Sequence, residues 1–254
     1  MQKLKLLLIT LIFFSTASFA DLLRSPENQS RDEYRNPTKT LNFFDVKPNH
    51  KVVEIWPGGG WYSEILAPLL FEKGQLIAAH FPADSPISFF STSRKKYEYR
   101  ITQQAKFSKI TLVDFAPPKL TNIAEENSVD RVLTFRNVHN WMRNNGEQAA
   151  FNGFYNALKP GGILGVVEHR APSDFSKEEM IKSGYVSEAY VVTLAEKAGF
   201  RLIAKSEINA NSKDTKTHPK GVWTLPPSLR LGEQDREKYL NIGESDRMTL
   251  KFIK

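Results

Sequence analysis

The sequence predicts an α/β fold on one mostly parallel, doubly wound sheet of seven strands. Three observations carry this. Apolar, strand-like runs alternate with helical stretches, glycine or proline turns separate them, and no internal repeat or low-complexity tract interrupts the pattern. At 254 residues and 41% hydrophobic content, the chain can bury a sizeable core without staples, and it has no cysteine.

The first twenty residues stand apart from that domain. Lys3 and Lys5 precede the apolar run Leu6 to Phe14, broken only by Thr10, and Ser18-Phe19-Ala20 offers a small-residue cleavage site. Residues 1–20 therefore read as a secretory signal peptide, with Asp21 as the mature N-terminus and a periplasmic or secreted destination. An uncleaved anchor is the alternative, but the run falls short of the about 20 residues a span needs. No later segment is apolar enough to cross a membrane. Lys3 and Lys5 leave with the signal and lower the formal net charge of +7 by two. Bases such as Arg94-Lys95-Lys96 sit among polar neighbours as a solvated helix face, and no zinc-finger, RNP-like or basic-helix pattern points to nucleic acid. In residues 21–50, Arg31 and Arg35 lie one helical turn apart ahead of Leu41-Asn42-Phe43-Phe44. This segment is expected to fold as a lid over the first strand's turn.

The domain proper spans residues 51–254. Strand one is Val52 to Trp56, followed by a helix from Trp61 towards Phe71 and by strand two, Gln75 to His80. A helix from Ser88 to Lys106 leads to strand three, Ile110 to Asp114, after which Pro117-Pro118 breaks the path. Strand four is Arg131 to Phe135, then come a helix over Glu147 to Leu158 and strand five, Gly162 to Glu168. Tyr185 to Ala198 reads as helix and Arg201 to Ile208 as strand six. Arg247 to Ile253 alternates apolar and polar residues, as a seventh strand at a sheet edge would. Between the last two strands lies an insert, residues 209–244, rich in Lys, Pro and Gly; loops of that length are functional or disordered.

The turn after strand one carries the chemistry. Pro57-Gly58-Gly59-Gly60 joins a strand to a helix start, where Gly58 and Gly60 allow a sharp turn and free N–H groups favour polar ligand atoms. A dinucleotide fingerprint would need Ser63 in its third glycine slot and an acid about 20 residues on, where His80 stands. Instead an acid precedes the turn, in the pattern E-x-W-x-G-x-G from Glu54. That placement resembles the first motif of the class I S-adenosylmethionine-dependent methyltransferases, D/E-x-G-x-G-x-G, with Trp56 replacing its first glycine. Leu158-Lys159-Pro160-Gly161-Gly162 resembles the turn before their strand five, and Ala198-Gly199-Phe200 the entry to strand six. The motifs fall in family order over residues 41–254, and together with the signal they suggest an exported branch. The resemblance implies a Rossmann-like sheet with an antiparallel last strand, S-adenosylmethionine as cofactor and a small-molecule methyl acceptor.

Such sheets bind ligands at the carboxyl ends of their strands, near the point where strand order reverses. The resemblance implies cofactor contacts from Glu54 (to the amino group), Pro57, Gly58, Gly59, Gly60, Tyr62, Asp114 (near adenine) and Asn137. His80 would take the slot where relatives hold the ribose with an acid; a neutral imidazole makes only one or two such hydrogen bonds. Trp56, Trp61 and Tyr62 are read as core or pocket wall. His139 and His169 are the candidate catalytic bases, because histidine titrates in the useful range. Arg136, Trp141 and Arg170 are the candidate acceptor contacts, the arginines orienting an anionic group by a planar fork. A metal site of His80, His139 and His169 is a third possibility, but no H-x-E or H-E-x-x-H spacing supports it, and none is expected. The rival function is an exported small-molecule-binding protein on the same scaffold, since S-adenosylmethionine is made in the cytosol.

Overall fold

The computed structural model describes residues 24–254, so the signal-peptide expectation and the cleavage point before Asp21 lie outside the described residues. Three short helices open the chain: α1 (Pro26–Gln29), α2 (Asp32–Arg35) and α3 (Pro37–Phe43). There follow β1 (Lys51–Ile55), α4 (Ser63–Leu70), β2 (Gln75–His80), α5 (Ser88–Thr102), β3 (Thr111–Asp114) and β4 (Val129–Phe135). The second half holds α6 (Val138–Trp141), α7 (Glu147–Ala157), β5 (Leu158–His169), α8 (Lys177–Ser183), α9 (Glu188–Ala198), β6 (Arg201–Ser206), α10 (Arg236–Ile242) and β7 (Arg247–Ile253). No described helix is long and apolar enough to cross a membrane.

The seven strands form one sheet in the order β3-β2-β1-β4-β5-β7-β6. All pairings from β3 to β5 are parallel, and β7 runs antiparallel to both β5 and β6. Strand order reverses between β1 and β4, so the crevice at their carboxyl ends is where a ligand is expected. The α/β, mostly parallel sheet with an antiparallel last strand is as the sequence predicts.

The seventh strand is not at an edge. It lies between β5 and β6, while β6, alternately exposed, takes the edge. The polar positions of β7 face protein partners instead of water: Arg247 pairs with Glu244, and Thr249 accepts a hydrogen bond from Asn209. Alternation in a sequence marks two faces but does not say what covers each one. Other departures are local. Strand five starts earlier, at Leu158, helix α8 was not anticipated, and the long fifth helix stops at Thr102. A reciprocal capping box between Ser176 and Glu179 explains where α8 begins.

Both faces of the sheet are covered. Val53, Ile55, Val132, Leu164 and Val166 pack with Phe151 and Phe154 of α7 in the larger core, and Val52, Leu76 and Leu133 pack with Leu66 of α4 in the smaller. Phe44, just past α3, joins that second core against Gly165, where an added Cβ would meet the Phe44 ring at 2.7 Å. The glycine in β5 thus lets the N-terminal helices dock, and replacing it would overpack a site with no room to give.

Candidate active site

Two joined lobes open at the carboxyl ends of β1 and β4. The larger, about 1300 Å³, runs from Trp56 and Gly58 past Phe81, Phe90 and Ala116 to Asn144. The smaller, about 550 Å³, is walled by Arg31, Arg35, Arg100, Arg136, His169 and Glu244. Trp56, Gly58, Asn137, His139 and Trp223 border both.

The glycine turn forms the floor between them. Gly58 has φ +59° and Gly60 +81°, and a Cβ built on Gly58 or Gly59 would meet nothing within 4 Å. Backbone there faces open space, as close approach by a ligand requires. Arg100 of α5 donates to the Gly59 carbonyl and pairs with Glu64 of α4, clamping the turn from above. His80 supports it from below. It is fully buried, its Nδ1 accepts from the Phe81 N–H at 2.8 Å, and its Nε2 therefore donates to the Gly58 carbonyl at 3.2 Å. Burial pushes the imidazole down to about 4, so it stays neutral. In this arrangement His80 holds the turn and does not face the lobe where a ribose would lie.

Glu54 is likewise behind the turn. It is buried, accepts from Ser63 Oγ at 2.6 Å, and Ser63 in turn shares a 2.8 Å hydrogen bond with the Tyr97 hydroxyl. Burial raises its carboxyl to about 7, against the smaller opposing effects of the Ser63 hydrogen bond and of Arg100 and Arg136. A carboxyl whose folded pKa lies above its unfolded value destabilises the fold once pH rises past about 4.5, and the full cost is reached near 7. Glu54→Gln should therefore be more stable than the parent by up to about 3 kcal/mol at pH 8, a gain that fades to nothing by pH 4. Urea unfolding at the two pH values measures it, and an equal difference at both would deny that Glu54 is buried as a carboxylate.

Asn137 ties the two strand ends together, its Nδ2 donating to the Ile55 carbonyl at 2.8 Å and to Thr134 Oγ1 at 3.3 Å. Trp56 and Arg136, at those same strand ends, both hold left-handed backbones, with φ 43° and 63°. Such strain costs on the order of 1–3 kcal/mol each and gathers where side chains must be aimed.

The two candidate bases do meet, with ring centroids 5.3 Å apart. His139 Nδ1 lies 3.0 Å from Glu168 Oε1, and the buried carboxylate also accepts from the Val138 N–H at 2.6 Å and the His169 N–H at 2.9 Å. An ionised carboxylate only accepts, so Nδ1 carries the proton and the lone pair of His139 is at Nε2. His169 differs. Its Nδ1 bonds Ser245 Oγ at 2.5 Å, and burial, His139 and the nearby Arg136, Arg247 and Arg35 hold it well below the ordinary histidine range. It is neutral and a poor base. The ligating atoms of His139, Glu168 and His169 lie within 4.8 Å of one another, but Glu168 has its donors already and the surrounding guanidiniums oppose a dication. His80, under Gly58, is not part of this group.

Besides Glu54 and His80, four more sequence-predicted contacts fall away from the lobes. Trp141 is fully buried against Trp56, Phe115 and Phe154, because the one-turn helix α6 points it into the core. Arg170 is held by Asp246 and Glu207, and Asp114 by Arg94, which also reaches the Phe81 carbonyl. Tyr62 stacks on Phe135 with centroids 3.6 Å apart and is buried in the smaller core, bordering neither lobe.

Other residues at the site were not assigned from sequence. The sequence marks Glu168 only as the end of strand five. Trp223 comes from the insert and stands beside His139, with Arg230 stacked on it at 4.7 Å. The signal available was a tryptophan in a long polar loop, which must be covered by something. Asp214 anchors that loop, accepting from the Tyr185 hydroxyl, His218 and the Asp246 N–H. The N-terminal segment borders the smaller lobe through Asn28, Arg31 and Arg35. It is bound tightly: Trp61 donates to the Asn28 carbonyl at 2.9 Å and stacks with Arg24 and Arg35, and both Arg31 and Arg35 pair with Glu244.

No family model and no curated protein matches the sequence. Solved structures match the fold. A methyltransferase dependent on S-adenosylmethionine from Aquifex aeolicus is 19% identical with TM-score 0.56, over 76% of this chain and 92% of its own. A putative sarcosine dimethylglycine methyltransferase from Galdieria sulphuraria is 14% identical with TM-score 0.59, over 93% of this chain and 89% of its own. The [4+2]-cyclase SpnF is also 14% identical, with TM-score 0.61 over 91% of this chain and 84% of its own. The chain has the methyltransferase fold. That fold also carries a cyclase, so the reaction must be argued from the site.

Proposed function

We propose that this chain is an exported S-adenosylmethionine-dependent methyltransferase acting on a small molecule. The observation that carries the reading is the open cradle over Gly58 and Gly59 at the point of strand reversal, bordered by the Glu168-oriented His139. The cofactor fits in part. The turn backbone, Asn137 and the Phe81–Phe90 stack, 4.3 Å between centroids, would hold it, while the position where relatives carry the ribose-binding acid is His80, turned beneath Gly58. When bound, the cofactor supplies a methyl group on a sulfonium that leaves readily.

The chain's own tasks are to orient the acceptor and take its proton. Orientation in a walled cleft can be worth about 7–11 kcal/mol in favourable cases. His139 Nε2 accepts a proton from an acceptor hydroxyl or amine, and the Glu168 carboxylate at Nδ1 orients and stabilises the imidazolium formed. Calorimetry with S-adenosylhomocysteine tests the reading, and that ligand is preferred because it lacks the positive sulfonium that the arginine walls oppose. Heat of binding is expected, and none at millimolar ligand would turn the assignment to a binding protein for another small molecule. Gly59→Ala sharpens the test, since Gly59 needs no positive φ and has free space for a methyl. Its melting temperature should stay within a few degrees of the parent while affinity drops roughly tenfold, the cost of about 1–3 kcal/mol for an intruding methyl. Unchanged affinity would mean the ligand does not approach the turn.

A further inference from the structure

Arg136 is a half-buried cation beside a cluster of three arginines that share one carboxylate. Glu244 pairs with Arg31, Arg35 and Arg247, so a single carboxylate already serves three guanidiniums. Arg136 stands close enough to feel Glu244 and Arg247, yet its guanidinium makes no hydrogen bond or ion pair with any described residue. Burial and Arg247 lower it to about 10, which leaves it charged at neutral pH. Its backbone is held left-handed at φ 63°, pinned by its N–H to the Val167 carbonyl at 2.7 Å, and the residue borders the smaller lobe. A half-buried cation at the lobe wall, with a free planar fork and an excess of neighbouring positive charge, is placed to take an anion.

We propose that the smaller lobe is an acceptor site for a small anionic molecule, whose carboxylate or phosphate group is taken by Arg136 with Arg31 and Arg35 behind it. The acceptor half of this statement rests on the methyltransferase reading above; the anion site itself does not. The lobe's volume of about 550 Å³ suits a compact ligand, and Trp56, Trp61, Phe135 and Trp223 supply an apolar wall for its body. His139 and the neutral His169 border the same space, so a group carried by the anion would come before the proposed base.

Benzoate, phenyl phosphate and neutral benzyl alcohol share a ring and differ in charge, so they serve as probes by tryptophan fluorescence or calorimetry on the mature protein. Either or both anions should bind, with benzyl alcohol at least tenfold weaker, and whichever anion binds better names the group. Arg136→Gln should weaken the anions at least tenfold, Arg136→Lys by less, and the exposed Arg201→Gln not at all. Equal binding of neutral and anionic probes, or no loss in Arg136→Gln with its fold intact by circular dichroism, would overturn the anion site. Saturating S-adenosylhomocysteine then separates the two sources of an acid group. Benzoate that still binds belongs to an acceptor, whereas competition, with Arg136→Gln weakening S-adenosylhomocysteine equally, would assign the fork to the methionine carboxylate and refute the acceptor claim. Anion binding without any binding of S-adenosylhomocysteine would leave the site standing and reject the methyltransferase reading alone.

Discussion

His139→Ala is expected to reduce methyl transfer by roughly 10² to 10⁴ while S-adenosylhomocysteine affinity changes little. The magnitude follows from the role. His139 Nε2 is the open nitrogen at the junction of the two lobes, and its other nitrogen is committed to Glu168 at 3.0 Å. Glu168→Gln tests the second member as a positioning residue. The amide would face two backbone N–H donors and the Nδ1 proton with one acceptor fewer, so the imidazole loses both its orientation and the charge that stabilises its protonated form. Turnover should fall while S-adenosylhomocysteine affinity stays near the parent's, a split that simple unfolding would not produce. His169→Gln should cost much less, because a histidine held neutral by burial, with His139 and the nearby arginines adding to it, has little proton affinity to lose. Comparable losses from both histidines would remove the distinction, and full activity in His139→Ala would remove the base.

Glu244→Gln is expected to destabilise the fold by about 3–5 kcal/mol at pH 7, because it leaves Arg31, Arg35 and Arg247 without their shared anion in a buried place. The arginines Arg247, Arg35, Arg136 and Arg31 hold its carboxyl down to about 2 despite burial. A depressed acid contributes stability that is complete above the unfolded value near 4.5 and is lost as pH falls towards 2. The parent should therefore lose this stabilisation between pH 4.5 and 2, and Glu244→Gln should lack that part of the acid transition. Urea unfolding at pH 7 and pH 3 reads both. A variant of parental stability would show that the N-terminal helices, which reach Glu244 through Arg31 and Arg35, are not secured there.

This linkage bears on the N-terminal segment expected as a lid. Cutting residues 21–37 would take Arg31 and Arg35 from Glu244 and Asn28 from Trp61, so loss of the cleft wall and loss of stability come together. The segment's arginines at helical spacing were legible; their partner, more than two hundred residues away, was not.

By itself the sequence determined the alternation of strands and helices, the turn at Gly58 to Gly60, and the gathering of His139, Asn137, Arg136 and His169 at one sheet edge. These follow from local rules: apolar period, turn chemistry and the direction in which each strand ends. Only the tertiary structure decided which way those side chains face. Trp141 turned into the core, Arg170 met Asp246, and His80 went beneath the turn to the Gly58 carbonyl, each taken up by a partner from another segment. The same holds for β7, whose alternation looked like an edge until Glu244 and Asn209 covered its polar face. Partners such as Glu168 for His139 and Glu244 for the arginines are set by packing across distant segments, and no spacing along the chain encodes a contact of that kind.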